Sequence, residues 1–176
     1  MKNLSLRNVY RLLEPGPVVL LTTADKGKPN VMTQSWHLMM EFQPPLVGFI
    51  VSNRNYSFRT LKRTKECVIN IPTEKLIDAV VGCGNTSGHL IDKFKEYSLT
   101  PIAASKVHAP LIKECFASLE CKVVNAKLVN EYCFFVVRVL KAWSNPSIKK
   151  PKTLHHCGNG LFMIAGKTKQ TSSKMK

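Results

Sequence analysis

No apolar run in the 176-residue chain approaches the ~18 residues that a membrane-spanning helix requires. The strongest runs, "PVVLLTTA", "LVGFIV" and "CFFVVRVL", have the length of strands, and Arg138 interrupts the last. The opening "MKNLSLRNVYRLLEPG" lacks the uncharged centre of a secretory leader, because Arg7, Arg11 and Glu14 break it. These absences read as a cytoplasmic protein. Cysteine is present at six positions, yet no pair has CxxC spacing, and without a leader a disulfide framework is not expected. Cys67 in "ECVINIP" and Cys133 in "YCFFVV" lie in apolar sequence, where a free thiol packs as a small hydrophobe.

Acidic residues are scarce: 11 Asp and Glu stand against 26 Lys and Arg, a formal charge of +15. Nine of those basic residues fall between Tyr132 and Lys176, a stretch with no acidic one. Part of this is the tail "GKTKQTSSKMK", which reads as a solvated terminus. No RRM aromatic signature, zinc-finger spacing or KH loop accompanies the charge, so a dedicated nucleic-acid role is not expected. Weak polyanion binding at low salt remains the alternative that the charge alone motivates.

Catalytic motifs are missing as well. The chain has no GxSxG elbow, no HExxH and no Rossmann fingerprint. "LHHCGNG" puts His155 and Cys157 on one strand face, but two ligands are too few for a structural zinc site, and no metal is expected.

What is present is a succession of short strands. Residues 4 to 13 read as an amphipathic helix stopped by "PGP". "PVVLLTTA", the turn "DKGKPN" and "VMTQSWHLMMEF" read as a hairpin, and "LVGFIVS" as a third strand. "NRNYSFRTLKRTK" switches to helical period, "ECVINIP" returns to strand, and "TEKLIDAVVG" is another helix with Thr73 as a candidate N-cap. "IDKFKEY" reads as a short helix and "SLTPIAASKVHAP" as an extended connection. Two long strands follow around "VNEY", read as a hairpin turn, and two short ones around "GNG". The sum is a mainly β fold with small helices, α+β in class, closing into a β-barrel. Residues 1–167 are expected to form a single domain, with 168–176 as a flexible basic tail.

Four segments could carry chemistry. In "VMTQSWHLMMEF", Thr33, Gln34 and Ser35 interrupt apolar sequence; Thr33 and Ser35 would share one strand face and could meet one ligand, or could satisfy neighbouring backbone. In "SNRNYSFRTLKR" a strand ending at Ser52 joins a helix starting near Tyr56, and the join holds Arg54, Asn55 and Ser57. Free first-turn N–H groups with a Ser hydroxyl or an Arg beside them suit a phosphate, although ordinary N-capping would use the same residues. "GNTSGHLIDKF" adds Ser87 and Lys93 in a glycine-bearing loop without the P-loop order. The fourth is "LHHCGNG", whose histidine could line a ligand pocket.

Taken in order, "PVVLLTTADKGKPNVMTQSW", "PPLVGFIVSNRNYSFRTLKRTKECVINIP", "TSGHLIDKFKEYSLTP", "APLIKECFASLECKV" and "LHHCGNGLFMIAGK" resemble the flavin reductase-like family of FMN-binding split barrels, the flavoredoxins and ferric reductases among them. The resemblance implies a Greek-key split barrel that homodimerises and binds FMN near the interface. It implies that Thr33, Gln34, Ser35 and Trp36 run beside the flavin, with Trp36 as apolar wall. Asn55, Tyr56 and Ser57 occupy the family's phosphate-binding R-Y-T place, with Asn55 where the arginine usually stands. Arg54, Arg59 and Lys93 are then candidates for the neutralising charge. Ser52 and Ser87 join the cofactor set, Asn70 in "VINIP" lies on a strand close to the ring, and His156 stands on the nicotinamide or acceptor side. The implied activity is electron transfer from NAD(P)H through FMN to free flavin, a ferric complex or a redox protein. An FMN electron-transfer protein without NAD(P)H activity is the close variant, and a non-enzymatic polyanion-binding module the distant one.

Overall fold

The computed structural model describes residues 16–172, so the expected helix at 4 to 13 and the end of the tail lie outside the described residues. Seven strands form one antiparallel sheet: β1 (Val19–Asp25), β2 (Lys28–Gln34), β3 (His37–Phe42), β4 (Pro45–Ile50), β5 (Glu66–Ile71), β8 (Ala117–Asn125) and β9 (Phe134–Ser144). Their order across the sheet is β2-β1-β5-β8-β9-β4-β3. The two edge strands, β2 and β3, are consecutive in the chain and joined only by Ser35–Trp36. The sheet must therefore curl until its edges meet. Among the described strands no ladder joins β2 to β3, so the barrel is split at that link. Expected as one strand, "VMTQSWHLMMEF" is in fact two, broken where Gln34 turns its amide back onto the carbonyls of Trp36 (2.6 Å) and Ile50 (3.4 Å).

The barrel's interior is filled by alternate residues of each strand: Val19 and Leu21, Val47 and Phe49, Cys67 and Ile69, Phe135 and Val137. Helix α1 (Tyr56–Thr64) adds Phe58 and Leu61, and Phe58 meets the Phe135 ring edge-on at 5.7 Å. The other face of β1 is covered too. Leu20 and, beside it, Val18 and Val31 pack on Ala79, Val80 and Cys83 of helix α2 (Ile77–Asn85), which follows a 3-10 turn (Glu74–Leu76). Burial on both faces explains why β1 reads as an unbroken apolar run without alternation. A short helix α3 (Lys93–Glu96), a two-stranded pair β6 (Pro101–Ile102) and β7 (Leu111–Ile112), and the hairpin β10 (Leu154–His156) and β11 (Phe162–Ile164) complete that outer layer. Between β8 and β9 the expected hairpin turn is instead a helical turn, α4 (Val129–Tyr132), ended by Cys133 in left-handed geometry (φ 55°).

The third side is bare. Strand β3 is exposed along nearly its whole length. Leu38, Gly48 and Val136 stand in one row across β3, β4 and β9, on the side away from the core residues Val47 and Phe49. A Cβ at Gly48 would come within 2.5 Å of the Phe134 ring and 2.8 Å of the Met40 sulfur, so only glycine lets those two side chains close over the strand.

Asn70 illustrates how the layers are tied together. Fully buried on β5, it donates to the Leu20 carbonyl (3.1 Å) and the Thr22 hydroxyl (3.3 Å), and its oxygen accepts from the Ile112 N–H (3.0 Å) and the Ser118 hydroxyl (2.7 Å). Both ends of the amide are engaged in the core. Glu120 plays a similar part on β8. It is fully buried, and its carboxylate accepts from the N–H groups of Ser105 and Lys106, the Ser105 hydroxyl and the Trp143 indole (2.6 Å). Burial pushes its pKa up, but these hydrogen bonds outweigh that and hold it below the usual carboxylate value.

Candidate functional site

Two connected clefts open beside the split in the barrel. The wider, about 420 Å³, lies between the end of β2, helix α2 and the β10–β11 hairpin. Its walls include Gln34, Ser35, Val80, Gly160, Phe162 and His156, whose ring lies 5.3 Å from that of Phe162. The narrower, about 150 Å³, sits over the start of α1 and is lined by Arg54, Asn55, Tyr56, Ser57, Ser87 and Lys93, among others. Thr33 and Gly84 line both, so the two compartments form one groove.

The narrow compartment is built from helix ends. Asn55 is the N-cap of α1 with extended backbone (φ −77°, ψ 137°), and its side chain makes no capping bond. The Phe58 N–H is taken by the Asn55 carbonyl at 3.0 Å, and the positive end of the helix dipole, at Tyr56 and Ser57, faces the compartment without a side-chain cap. Ser57, almost wholly buried, accepts a hydrogen bond from the Asn30 amide at 2.7 Å. A Cβ at Gly88 would collide with the Asn30 oxygen, so the loop after α2 approaches β2 as closely as glycine permits.

Lys93 carries the electrostatics. It is 4% exposed and donates to the Cys83 carbonyl at 2.7 Å. Among the described ion pairs none includes it. Burial pushes its pKa down from the ordinary lysine value, the direction expected of an ammonium held out of water without an anion. The neighbouring Cys83 thiol is pushed up to about 11 by burial, so it supplies no negative charge near neutral pH. A buried cation facing a polar cleft at the start of a helix is an arrangement whose chemistry suits an anion.

The groove thus brings together Thr33, Gln34, Ser35, Arg54, Asn55, Ser57, Ser87, Lys93 and His156. The Thr33 hydroxyl donates to the Val80 carbonyl at 2.5 Å, so it is already engaged with backbone. Ser87 accepts from the His89 N–H in its own loop. Three expected residues stand apart. Trp36 is 57% exposed and lines neither compartment, because the chain breaks away from β2 at Ser35. Ser52 lines neither, and its hydroxyl accepts from the Arg54 N–H at 3.3 Å. Asn70 is locked in the core. Asn30 and Gly88 were not anticipated, since the contacts that give them their place join residues distant in sequence. Among the described residues no group of three or more His, Cys, Asp or Glu could hold a metal ion.

Residues 11–164 match the family model described as the flavin reductase like domain. The chain belongs to this family. Similar proteins include an uncharacterized protein of Archaeoglobus fulgidus, 35% identical over 145 residues that cover 82% of this chain and 81% of the relative. An uncharacterized Escherichia coli protein, YddH, is 29% identical over 93% of this chain and 94% of its own length. Among solved structures, flavoredoxin from Methanosarcina acetivorans is 25% identical with a TM-score of 0.80, covering 99% of this chain and 97% of that one. An FMN-binding domain of a flavin reductase-like enzyme from Shewanella baltica superposes with a TM-score of 0.84 at 22% identity, covering 96% of each chain. The fold is thus the expected one: a mainly β, flavin reductase-like split barrel with small helices. Among the described residues no helix is long and apolar enough to cross a membrane.

Proposed function

We propose that the protein is an FMN-dependent oxidoreductase that passes electrons from NAD(P)H to free flavin, a ferric complex or a redox protein. The observation that carries this reading is the form of the groove, in which a wide compartment sized for a ring system runs into a narrow cationic one sized for a phosphate. The donor set suits FMN. Lys93, the first-turn amides of α1, Ser57 and Arg54 would hold the phosphate, while the backbone around Gln34 and Ser35 would meet the ring's polar edge. Bound flavin would supply the hydride and electron chemistry. The chain's own part is to orient the ring, keep water from it and leave room at His156 for a donor or acceptor. No general acid or base is required for hydride transfer.

The bare outer face supports a homodimer. Leu38, Met40 and Phe42 are 53%, 47% and 76% exposed, and a second copy would cover them next to the groove. The proposal further takes the protein as cytoplasmic, with residues 1–167 as one domain and 168–176 as a basic tail.

Visible absorbance of the purified protein, with chromatography of the acid-released chromophore, is expected to give flavin bands and FMN near one per chain. A colourless protein that fails to take up added FMN would end the reading. Ser57→Asp, which places negative charge in the phosphate compartment, is expected to abolish flavin retention; unchanged retention would remove that compartment from the site. Oxidation of NADH and NADPH with FMN present then separates a reductase from an electron carrier without pyridine-nucleotide activity.

A further inference from the structure

The hairpin of β10 and β11 has two sides. Toward the body of the protein, His156, Asn159, Gly160 and Phe162 wall the wide compartment, and Leu154 is fully buried. Toward solvent, Leu161, Met163 and Ile164 are 64%, 53% and 45% exposed, and none of them lines that compartment. Among the described strands β11 pairs with β10 alone, so its outer backbone edge is free as well. Apolar side chains scattered singly are ordinary on a surface, but a cluster on a free strand edge marks a contact.

The open end of the hairpin is cationic. Its pairing continues past Leu154 and Ile164 through the Ala165 N–H, which donates to the Thr153 carbonyl at 2.9 Å. The flanking segments therefore leave the hairpin side by side, one carrying Lys149, Lys150 and Lys152 and the other Lys167 and Lys169. All five side chains are exposed. The first segment is pinned to the body by the Glu74 N–H, which donates to the Lys152 carbonyl at 2.8 Å. Lys152 is paired with Glu74, and the other four enter none of the described ion pairs. From Tyr132 to the end of the chain there is no acidic residue, so neither segment offsets its own charge.

Lysines alone would be a solvated surface. Here they converge on an apolar cluster, and both stand on the element that walls the wide compartment. A small anionic acceptor would use the lysines and leave the cluster unused. A second copy of the chain is a poor occupant, because each copy carries +15 and would bring the same lysines together. We propose that the solvent side of the β10–β11 hairpin docks an acidic one-electron carrier protein, the electron partner of the groove. This rests on the flavin reading, and it selects the redox protein among the three acceptors. The lysines steer the carrier in, and the apolar cluster forms the small, transient contact typical of redox encounters. One NAD(P)H supplies two electrons, so two carriers each gain one and the proton passes to water.

The test is calorimetric binding of an acidic plant-type ferredoxin to the full chain at low and high salt, with FMN titrated separately. The variants are Met163→Ala and the double charge reversal Lys150→Glu with Lys167→Glu. All three side chains are exposed and lie outside both compartments of the groove, so FMN affinity should stay within about twofold. The wild type is expected to bind ferredoxin and to lose affinity as salt rises. The double reversal should weaken ferredoxin about tenfold or more, and Met163→Ala about threefold. No ferredoxin binding, or affinity unmoved by the double reversal, overturns the docking surface and leaves the flavin reading intact. A single-stranded RNA is the remaining probe. If the double reversal weakens RNA and ferredoxin alike while Met163→Ala moves neither, the face is a polyanion patch and the proposal falls. Failure of the wild type to take up FMN overturns both readings, because the face then serves no flavin.

Discussion

Replacing Lys93 by methionine is expected to weaken FMN on the order of 10- to 100-fold while leaving riboflavin, which lacks the phosphate, nearly unchanged. The reason is the isolation of the ammonium. With 4% exposure and one backbone carbonyl as hydrogen-bond partner, it is held where water cannot stabilise it, and a bound phosphate would form a charge-assisted bond with it. Methionine keeps much of the stem's volume. The variant loses the bond to the Cys83 carbonyl, about 1 kcal/mol, and sheds the burial penalty of a charge, so flavin-free melting should move by only a few degrees. Isothermal titration with both ligands checks the result, and equal loss of FMN and riboflavin would place the effect at the ring instead of the phosphate. The same geometry sets a pH dependence. Burial lowers the Lys93 pKa, so FMN affinity should start to fall with rising pH at a value below that of an ordinary lysine, and Lys93→Met should lack that decline.

Glu120→Ala is expected to destabilise the protein by about 4 kcal/mol or more, because it leaves the Ser105 and Lys106 N–H groups and the Trp143 indole N–H without an acceptor and opens a cavity. Against a typical 5–15 kcal/mol, that is a large share of the total. Urea unfolding followed by circular dichroism measures it, and a loss under about 1 kcal/mol would show that water replaces the carboxylate without strain. Although burial opposes it, hydrogen bonding holds the folded pKa below the ordinary glutamate value. The stabilisation is therefore present above the unfolded pKa and is lost as pH falls through the folded one. Glu120→Gln, with no proton to gain, should be less stable at neutral pH and should lack this part of the acid-induced loss.

Much of the barrel was legible because its buried strands carry unbroken β-branched or apolar runs: "PVVLLTTA" and "ECVINIP" are covered on both faces and say so in composition. The break at Ser35–Trp36 was not. Polar residues in mid-strand can mean a ligand or a strand end, and here they mean both, since Gln34 ties the end down while Ser35 faces the groove. The turn at "VNEY" hid its helical character because Cys133 takes the left-handed conformation where glycine would have signalled it. In the site, the α1 join and Lys93 were anticipated from the order of motifs, but the burial that gives Lys93 its force depends on α2 and the loop after it packing over β2. Asn70 was misplaced for the same reason. Its partners at Leu20, Ile112 and Ser118 come from three distant segments, and no local pattern predicts their convergence.

A barrel that is closed by covalent chain on one side has a seam there. Across it run side-chain hydrogen bonds, among them those of the Gln34 amide to the carbonyls of Trp36 and Ile50 and that of the His37 ring to the Pro17 carbonyl, and no ladder of backbone pairs among the described strands. Parting the seam would give up side-chain bonds such as these and none of the ladders that pair the seven strands. Gln34 lines the wide compartment at this seam, so on the flavin reading a flat ring would be admitted or released by parting side-chain contacts rather than a strand.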